Sequence, residues 1–279
     1  MSVSRYHDFY SDETLMYRHI TDENPDNKAF YMHIHDQCEI LYFVKGAAMC
    51  MVETTAYKLL PDQLILMRPM ESHRIAIVDS DDYERYTLNF SPDIFDAIDP
   101  ERKLLAPFFE RGLGEKNLYD ASELEIPPLK LLHMMHTDRT ENDRLRILAY
   151  LSSLLGEINA SFREKSRITA PPRQKNLATQ VADFINDHLF DEMDVPMLAN
   201  MFYVSVSQLN RHFRKATGSS LWEYISGKRL IAARNLIQSG VPPTQAYYQC
   251  GFNDYSSFYR LYVKRFGISP KEDAAKTRA

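Results

Sequence analysis

The chain has 279 residues, 44% of them apolar and 25% charged, with a formal net charge of −5; this is the balance of a soluble protein long enough for two domains, each with its own core. Its three cysteines, Cys38, Cys50 and Cys250, are odd in number and show no C-x-x-C spacing, which argues against a disulfide framework or a zinc knuckle and fits a reducing cytoplasm. The opening MSVSRYHDFYSDE lacks an apolar stretch of signal-peptide length, and no run of 18 apolar residues occurs, so secretory and membrane readings are set aside.

Residues 12–90 read as short strands. Segments 39–44, 48–54, 64–67, 74–78 and 83–90 are rich in Ile, Val, Tyr, Phe and Thr and are punctuated by Gly46, Pro61, Pro69 and the acidic turn 79–82. Strands of this number and spacing predict a barrel or sandwich, assigned to residues 1–95. From about residue 92 the period changes. Leu145, Leu148, Leu151, Leu155, Ile158 and Phe162 recur at three and four, predicting an amphipathic helix over 142–163, with a shorter one before it over 128–136. Met134 and Met135 are taken as core filler. The helical region 96–165 carries an apolar stripe that can bury on its own barrel or pair with a second copy as a short antiparallel coiled coil.

The polar stretch 166–176, with Pro171-Pro172, is read as a linker. Up to residue 174 the chain has 20 Lys and Arg against 29 Asp and Glu, and after it 13 against 9, so the two halves face different partners. The basic excess is concentrated: residues 205–271 hold ten Lys and Arg against the two acids Glu223 and Asp254, a net +8. DNA phosphate is the partner such a footprint most often serves.

Helical patterning is continuous from 177 to 279. Asp194 caps a short helix over 195–201 with Pro196 near its start; 202–204 turns the chain; Ser205 or Ser207 caps a second helix that runs to Thr217 and stops at Gly218. On that helix Leu209 and Phe213 face a core, while Ser207, Asn210, Arg211 and Arg214 face outward. Arg pairs bidentately with guanine and Asn with adenine. An isolated helix of this kind is usually only a solvated surface, but here the unit repeats: a long helix over 221–239, a short one over 244–249, a turn at Gly251, and a second recognition candidate over 254–265.

The residues Phe213, Gly218, Arg229, Leu230, Ala233, Gly251, Phe252, Phe258, Arg260, Phe266, Gly267 and Pro270 make the stretch 174–270 resemble the signature of the AraC/XylS family of bacterial transcription regulators. The resemblance implies two helix-turn-helix units joined by a rigid helix, each laying a recognition helix into the major groove of one site. By position, base readout falls on Ser207, Asn210 and Arg211 from the first unit and on Tyr255, Ser256, Tyr259 and Arg260 from the second; Arg214 joins the DNA-facing set, and Lys215, Lys264 and Arg265 become phosphate clamps. Arg229 is expected to make buried hydrogen bonds holding the two units at a fixed angle. The chain departs from the family pattern at Ala246-Tyr247, where an Ile-Ala pair is usual, at Pro242-Pro243 before it, and at Asp273-Ala274, where an aromatic-basic pair often stands. Base contacts are therefore expected more from the first unit than from the second.

In the N-terminal half, His33, His35, Glu39, Gly46 and His73 resemble the two-part cupin motif H-x-H-x3-E-x6-G … P-x-G … H, departing from it at Gln63 and in lacking an Asn after His73. Alternate residues of a strand share a face, so His33 and His35 point the same way. Three imidazoles and a carboxylate suit Fe, Mn, Ni or Zn, and a metalloenzyme or metal sensor with a DNA-binding tail is the alternative reading. The preferred one has no metal and no cofactor: an effector pocket lined by Tyr31, His33, His35, Glu39, Arg68 and His73 that orients a small polar molecule such as a sugar.

The expected fold is thus α+β and multidomain: an N-terminal cupin-like β-barrel plus helices, then an all-α domain over 177–279 with two helix-turn-helix units. The expected function is sequence-specific regulation of transcription without catalysis, with promoter DNA, a small effector, a second copy of the chain and, for an activator, RNA polymerase as partners.

Overall fold

The computed structural model describes residues 3–27, 30–79, 82–136, 141–167 and 175–276. The chain divides into two compact units, one of residues 1–31 and 37–173 and the other of residues 174–279 together with the short segment 32–36. Most of the expected linker, 166–176, lies outside the described residues.

The first unit is built on strands β1 (Val3–Ser11), β2 (Leu15–Glu23), β3 (Cys38–Lys45), β4 (Ala48–Val52), β5 (Thr55–Leu59), β6 (Gln63–Met67), β7 (His73–Ile77), β8 (Tyr83–Phe90) and β9 (Leu118–Asp120). They form a six-stranded sheet in the order β1-β2-β8-β3-β6-β9 and a three-stranded sheet β5-β4-β7. Side chains alternate between the faces of a strand, and that rule places β3, β6 and β8 between two cores. Leu41, Phe43, Ile65, Met67 and Tyr83 face the second sheet, meeting Ala48, Cys50, Val52, Ile75 and Ile77. Their neighbours Ile40, Tyr42, Leu64, Leu66, Tyr86, Leu88 and Phe90 face the other way, onto helices. Buried on both sides, β3 and β6 hold the continuous apolar runs 40–44 and 64–67.

Those helices are α1 (Ala106–Phe109), α2 (Pro128–Met134) and α3 (Asp143–Arg167). The stripe that α3 buries is Ile147, Leu151, Leu154, Leu155, Ile158 and Phe162, which corrects the expected one. Leu145 is 69% exposed, because two positions before Ile147 a helix has turned by about 200°, and Ile147 and Leu154 complete the buried face. This helix therefore covers its own sheet. Met135 is buried as core filler, but Met134 is exposed. Strands β1, β2, β5 and β9 have no counterpart among the expected segments: β1 is an edge strand with a mostly exposed face and so has no apolar signature, and β9 has three residues inside a region assigned to helices.

The second unit contains α4 (Leu177–Asp187), α5 (Val195–Met201), α6 (Val206–Thr217), α7 (Leu221–Gln238), α8 (Pro243–Gln249), α9 (Tyr255–Phe266) and α10 (Pro270–Lys276). Its boundaries follow local chemistry. Asp194 caps α5; Ser205, not Ser207, caps α6 in a reciprocal box with Gln208; Ser220 and Glu223 do the same for α7; Asp254 caps α9. Helices α6 and α9 end at Gly218 (φ 86°) and Gly267 (φ 72°), left-handed positions where a Cβ is strained. At the divergent pair, Ala246 is the small residue buried in the core, while Tyr247 packs edge-on against Tyr248 and Tyr255 and at a tilt against Phe258 at its edge.

Arg229, near the middle of α7, behaves as expected: Nε donates to the Leu189 carbonyl at 2.7 Å, Nη2 to that of Asp191 at 2.7 Å and Nη1 to that of Gly251 at 2.6 Å. One planar group thus ties the chain after α4 to the turn before α9. Asp273, whose neighbourhood departs from the family pattern, is buried and accepts from Tyr262 at 2.7 Å, Arg234 at 2.9 Å and Gln238 at 3.3 Å. Burial pushes its pKa up, but the donors from Tyr262 and Arg234 outweigh burial and the net direction is down. A depressed carboxyl stabilises the fold above its unfolded value, about 3.9, and loses that contribution as pH falls through the lower folded value. The gap in urea midpoint between the full chain and its Asp273→Asn variant should be widest near neutrality and close below about pH 4; a gap independent of pH would show that the carboxylate charge contributes nothing.

Candidate functional site

Two sets of side chains carry the candidate chemistry, one in each half of the chain. On α6, Leu209 and Phe213 are fully buried, which turns Ser207, Arg211, Arg214 and Lys215 to solvent and leaves Asn210 half-buried. Asn210 donates from Nδ2 to the Val206 carbonyl at 3.3 Å, and Arg214 lies 4.0 Å from Glu223. Both contacts are weak, so neither withholds its side chain from a ligand. On α9, Phe258 and Tyr262 are buried, leaving Ser256, Tyr259, Arg260, Lys264 and Arg265 exposed. Arg260 donates to Ser257 Oγ at 3.2 Å. Tyr255 is only half-exposed, its ring held between Tyr247, Phe258 and Tyr259, and burial pushes its phenol pKa up. Each recognition candidate thus places polar and cationic groups on one outward face and aromatic core on the other.

The sensor residues are distributed unevenly. The rings of His33 and His35 lie 5.9 Å apart, tilted by 40°. Tyr31 is 67% exposed. Arg68 is half-buried and donates from Nη1 to the Arg111 carbonyl at 3.3 Å. Glu39 and His73 are the buried members: His73 Nε2 is 3.5 Å from Glu39 Oε2, and its other nitrogen, Nδ1, is 2.9 Å from the Glu71 carbonyl. Burial lowers the pKa of His73, but the hydrogen bonds and charges of Glu39 and Glu71 together raise it, and the net direction is up.

The residues that hold this pair do not stand out in the sequence. Asn89, directly opposite Glu39 in the β3–β8 register, donates to Glu39 Oε2 at 2.8 Å, and Arg18 on β2 donates to Asn89 Oδ1 at 3.2 Å. Behind His73, Glu71 is fully buried, accepting from Arg111 at 2.6 and 2.8 Å, from the Gly114 amide at 2.7 Å and from Asn117 at 3.1 Å. Burial would raise the Glu71 pKa, but Arg111 and the amides hold it down. The available sequence signal is a polar residue inside an apolar strand, such as Asn89 between Leu88 and Phe90.

Comparison with known proteins follows the same division. Residues 18–159 match the family model for the AraC-like ligand binding domain, and residues 198–276 match one for a helix-turn-helix domain. The HTH-type transcriptional activator RhaS of Yersinia pseudotuberculosis is 23% identical over 98% of both chains. The HTH-type transcriptional regulator YbfI of Bacillus subtilis is 24% identical over 81% of this chain and 80% of its own. Among solved structures, ToxT of Vibrio cholerae aligns over 94% of this chain and 98% of its own at 13% identity with a TM-score of 0.38. The DNA-binding domain of AdpA in complex with a target DNA aligns over 37% of this chain and 95% of its own at 25% identity, with a TM-score of 0.35. No described helix is long and apolar enough to cross a membrane. The ligand-binding match alone spans half of the sequence, and the chain belongs to the AraC family of DNA-binding transcriptional regulators, with a ligand-binding domain followed by a helix-turn-helix domain.

Proposed function

We propose that the chain is a cytoplasmic, one-component transcriptional activator without enzymatic activity, a homodimer through its central helical region 96–165, whose β-rich region over 1–95 binds a small polar effector and whose residues 177–279 bind promoter DNA and present bound RNA polymerase with a contact surface. The observation that carries this reading is the matched pair α6 and α9, each capped, each ended at a left-handed glycine, and each exposing Arg, Lys and Ser opposite a buried aromatic. Ser207, Asn210 and Arg211, with Tyr255, Ser256, Tyr259 and Arg260, read bases; Arg214, Lys215, Lys264 and Arg265 hold phosphates. Activators named RhaS among the relatives favour activation over repression. The effector acts by population shift, binding one arrangement of the sensor better than another.

Base and phosphate contacts separate experimentally. Arg211→Ala is expected to cost about 1–3 kcal/mol on the preferred duplex and relax discrimination at one base position, whereas Lys264→Ala weakens all sequences alike and lowers the salt slope by about one. Equal losses on every sequence for both variants would remove Arg211 from base readout.

A second reading of the sensor site is a metal sensor, for which His33, His35, Glu39 and His73 supply three imidazoles and a carboxylate. His73 Nδ1 on a carbonyl and Asn89 on Glu39 also match the outer hydrogen bonds that orient metal ligands. Under the first reading, His35→Ala and Glu39→Ala leave DNA affinity within about twofold and abolish the effector response. Stoichiometric metal in protein purified without added ions, lost in both variants, would replace that reading with a metal sensor.

A further inference from the structure

Trp222 is the only tryptophan of the chain. It stands in the first turn of α7, where its neighbours Leu221, Tyr224 and Ile225 are buried, and is itself 56% exposed. A single exposed aromatic is ordinary on a protein surface. What distinguishes this one is its setting: it lines a concavity of about 500 Å³ together with Val195 at the start of α5, Asn210, Arg211 and Arg214 on α6, and the α7 cap Ser220. The hollow is continuous with the outward face of α6, and two guanidiniums give it a positive wall. The nearby acid Glu223 is engaged by the Ser220 amide at 2.8 Å and the Ser220 hydroxyl at 2.7 Å, and those bonds hold its pKa down.

We infer that this concavity seats one sugar–phosphate unit of the DNA strand flanking the bases read by α6, with Arg214 against the phosphate and the Trp222 indole closing over the deoxyribose. The inference rests on α6 being a recognition helix. Charge complementarity favours a polyanion, and continuity with α6 places that polyanion on the same duplex. An indole offers an apolar face and a single N–H donor, with no acceptor to repel phosphate. Trp222 lies on α7, outside the base-reading helix, so the contact positions the protein and carries no sequence preference.

The test uses the full-length protein, in which Trp222 is the sole source of indole fluorescence. Titration with a duplex selected for binding should quench or shift the emission along the same isotherm as the anisotropy of a labelled duplex, and should protect the ring from acrylamide. Trp222→Ala should bind every duplex about tenfold more weakly with an unchanged salt slope, since no counterion is released by a neutral side chain, and Trp222→Phe should recover most of that loss. Binding by anisotropy with unchanged emission and unchanged acrylamide access overturns the inference while leaving α6 as a recognition helix. Failure to bind any duplex removes the reading of α6 itself. Retained DNA affinity with lost transcription in Trp222→Ala also overturns it and assigns the ring to a protein partner.

Discussion

Replacing Arg229 by Met is expected to abolish detectable binding at both halves of the DNA site, although no residue of either recognition face is altered. Arg229 satisfies the carbonyls of Leu189, Asp191 and Gly251 at once, and a thioether satisfies none. Each buried carbonyl left without a donor costs roughly 1–3 kcal/mol, so the three together take about 3–5 kcal/mol from this unit even after relaxation. Lysine does not rescue it, because one ammonium cannot span three carbonyls placed for a planar fork. Gly251 reports on the same contact from the other side. It holds φ at +77°, and a Cβ there would sit 2.9 Å from Arg229 Cζ and 2.9 Å from the Phe190 carbonyl oxygen, so Gly251→Ala should reproduce the Arg229 phenotype. Urea unfolding and gel-shift assays on the full chain check both; Arg229→Met with affinity within about twofold of the parent would show that the fork does not hold the two helix-turn-helix units.

Glu71→Gln is expected to destabilise the sensor unit by about 3–5 kcal/mol, the usual consequence of stripping one member from a fully buried ion pair. Arg111 is then left charged and inaccessible, its Nε on the Pro107 carbonyl at 2.9 Å and its Nη2 on the Leu66 carbonyl at 3.2 Å. A Glu71→Gln, Arg111→Met double variant should be less destabilised than the single, since the uncompensated charge is gone. The pair also bears on sensing. The Glu71 carbonyl fixes His73 Nδ1, so the single variant should blunt the effector response under conditions where the protein remains folded. Chemical denaturation, followed by effector titration at a temperature below the new transition, measures both effects. A loss under about 1 kcal/mol would mean that water reaches the pair.

Helices α5 to α9 of the second unit are legible in the sequence because their signals are local. Asp194, Ser220 and Asp254 cap helices by contacts three residues away or fewer, and Gly218 and Gly267 end them by backbone conformation alone. Amphipathic α6 needs only Leu209 and Phe213 to fix which face is exposed. The sensor unit is less legible because its order is set by pairings distant in sequence. The 3–4 spacing identifies α3 but not which of its apolar residues meets the sheet, so it places Leu145 inside and passes over Ile147. Edge strand β1, with Tyr6 and Phe9 exposed, looks polar in sequence and is a strand only because β2 pairs with it. At the candidate site, the H-x-H-x3-E spacing finds His33, His35 and Glu39, yet Asn89, 50 residues away, is what orients Glu39. No periodicity links those two positions.

Selection of binding sites from random duplex DNA by the full-length protein tests the central assignment most directly. Two helix-turn-helix units tied together through Arg229 predict that each half-site of the homodimer carries two blocks of base preference centred about one helical turn, ~10 bp, apart. Repeating the selection with Arg211→Ala should erase preference at one position of one block in each half-site and leave the other block intact. Recovery of no enriched sequence, or of one whose pattern Arg211→Ala leaves unchanged, would contradict the account.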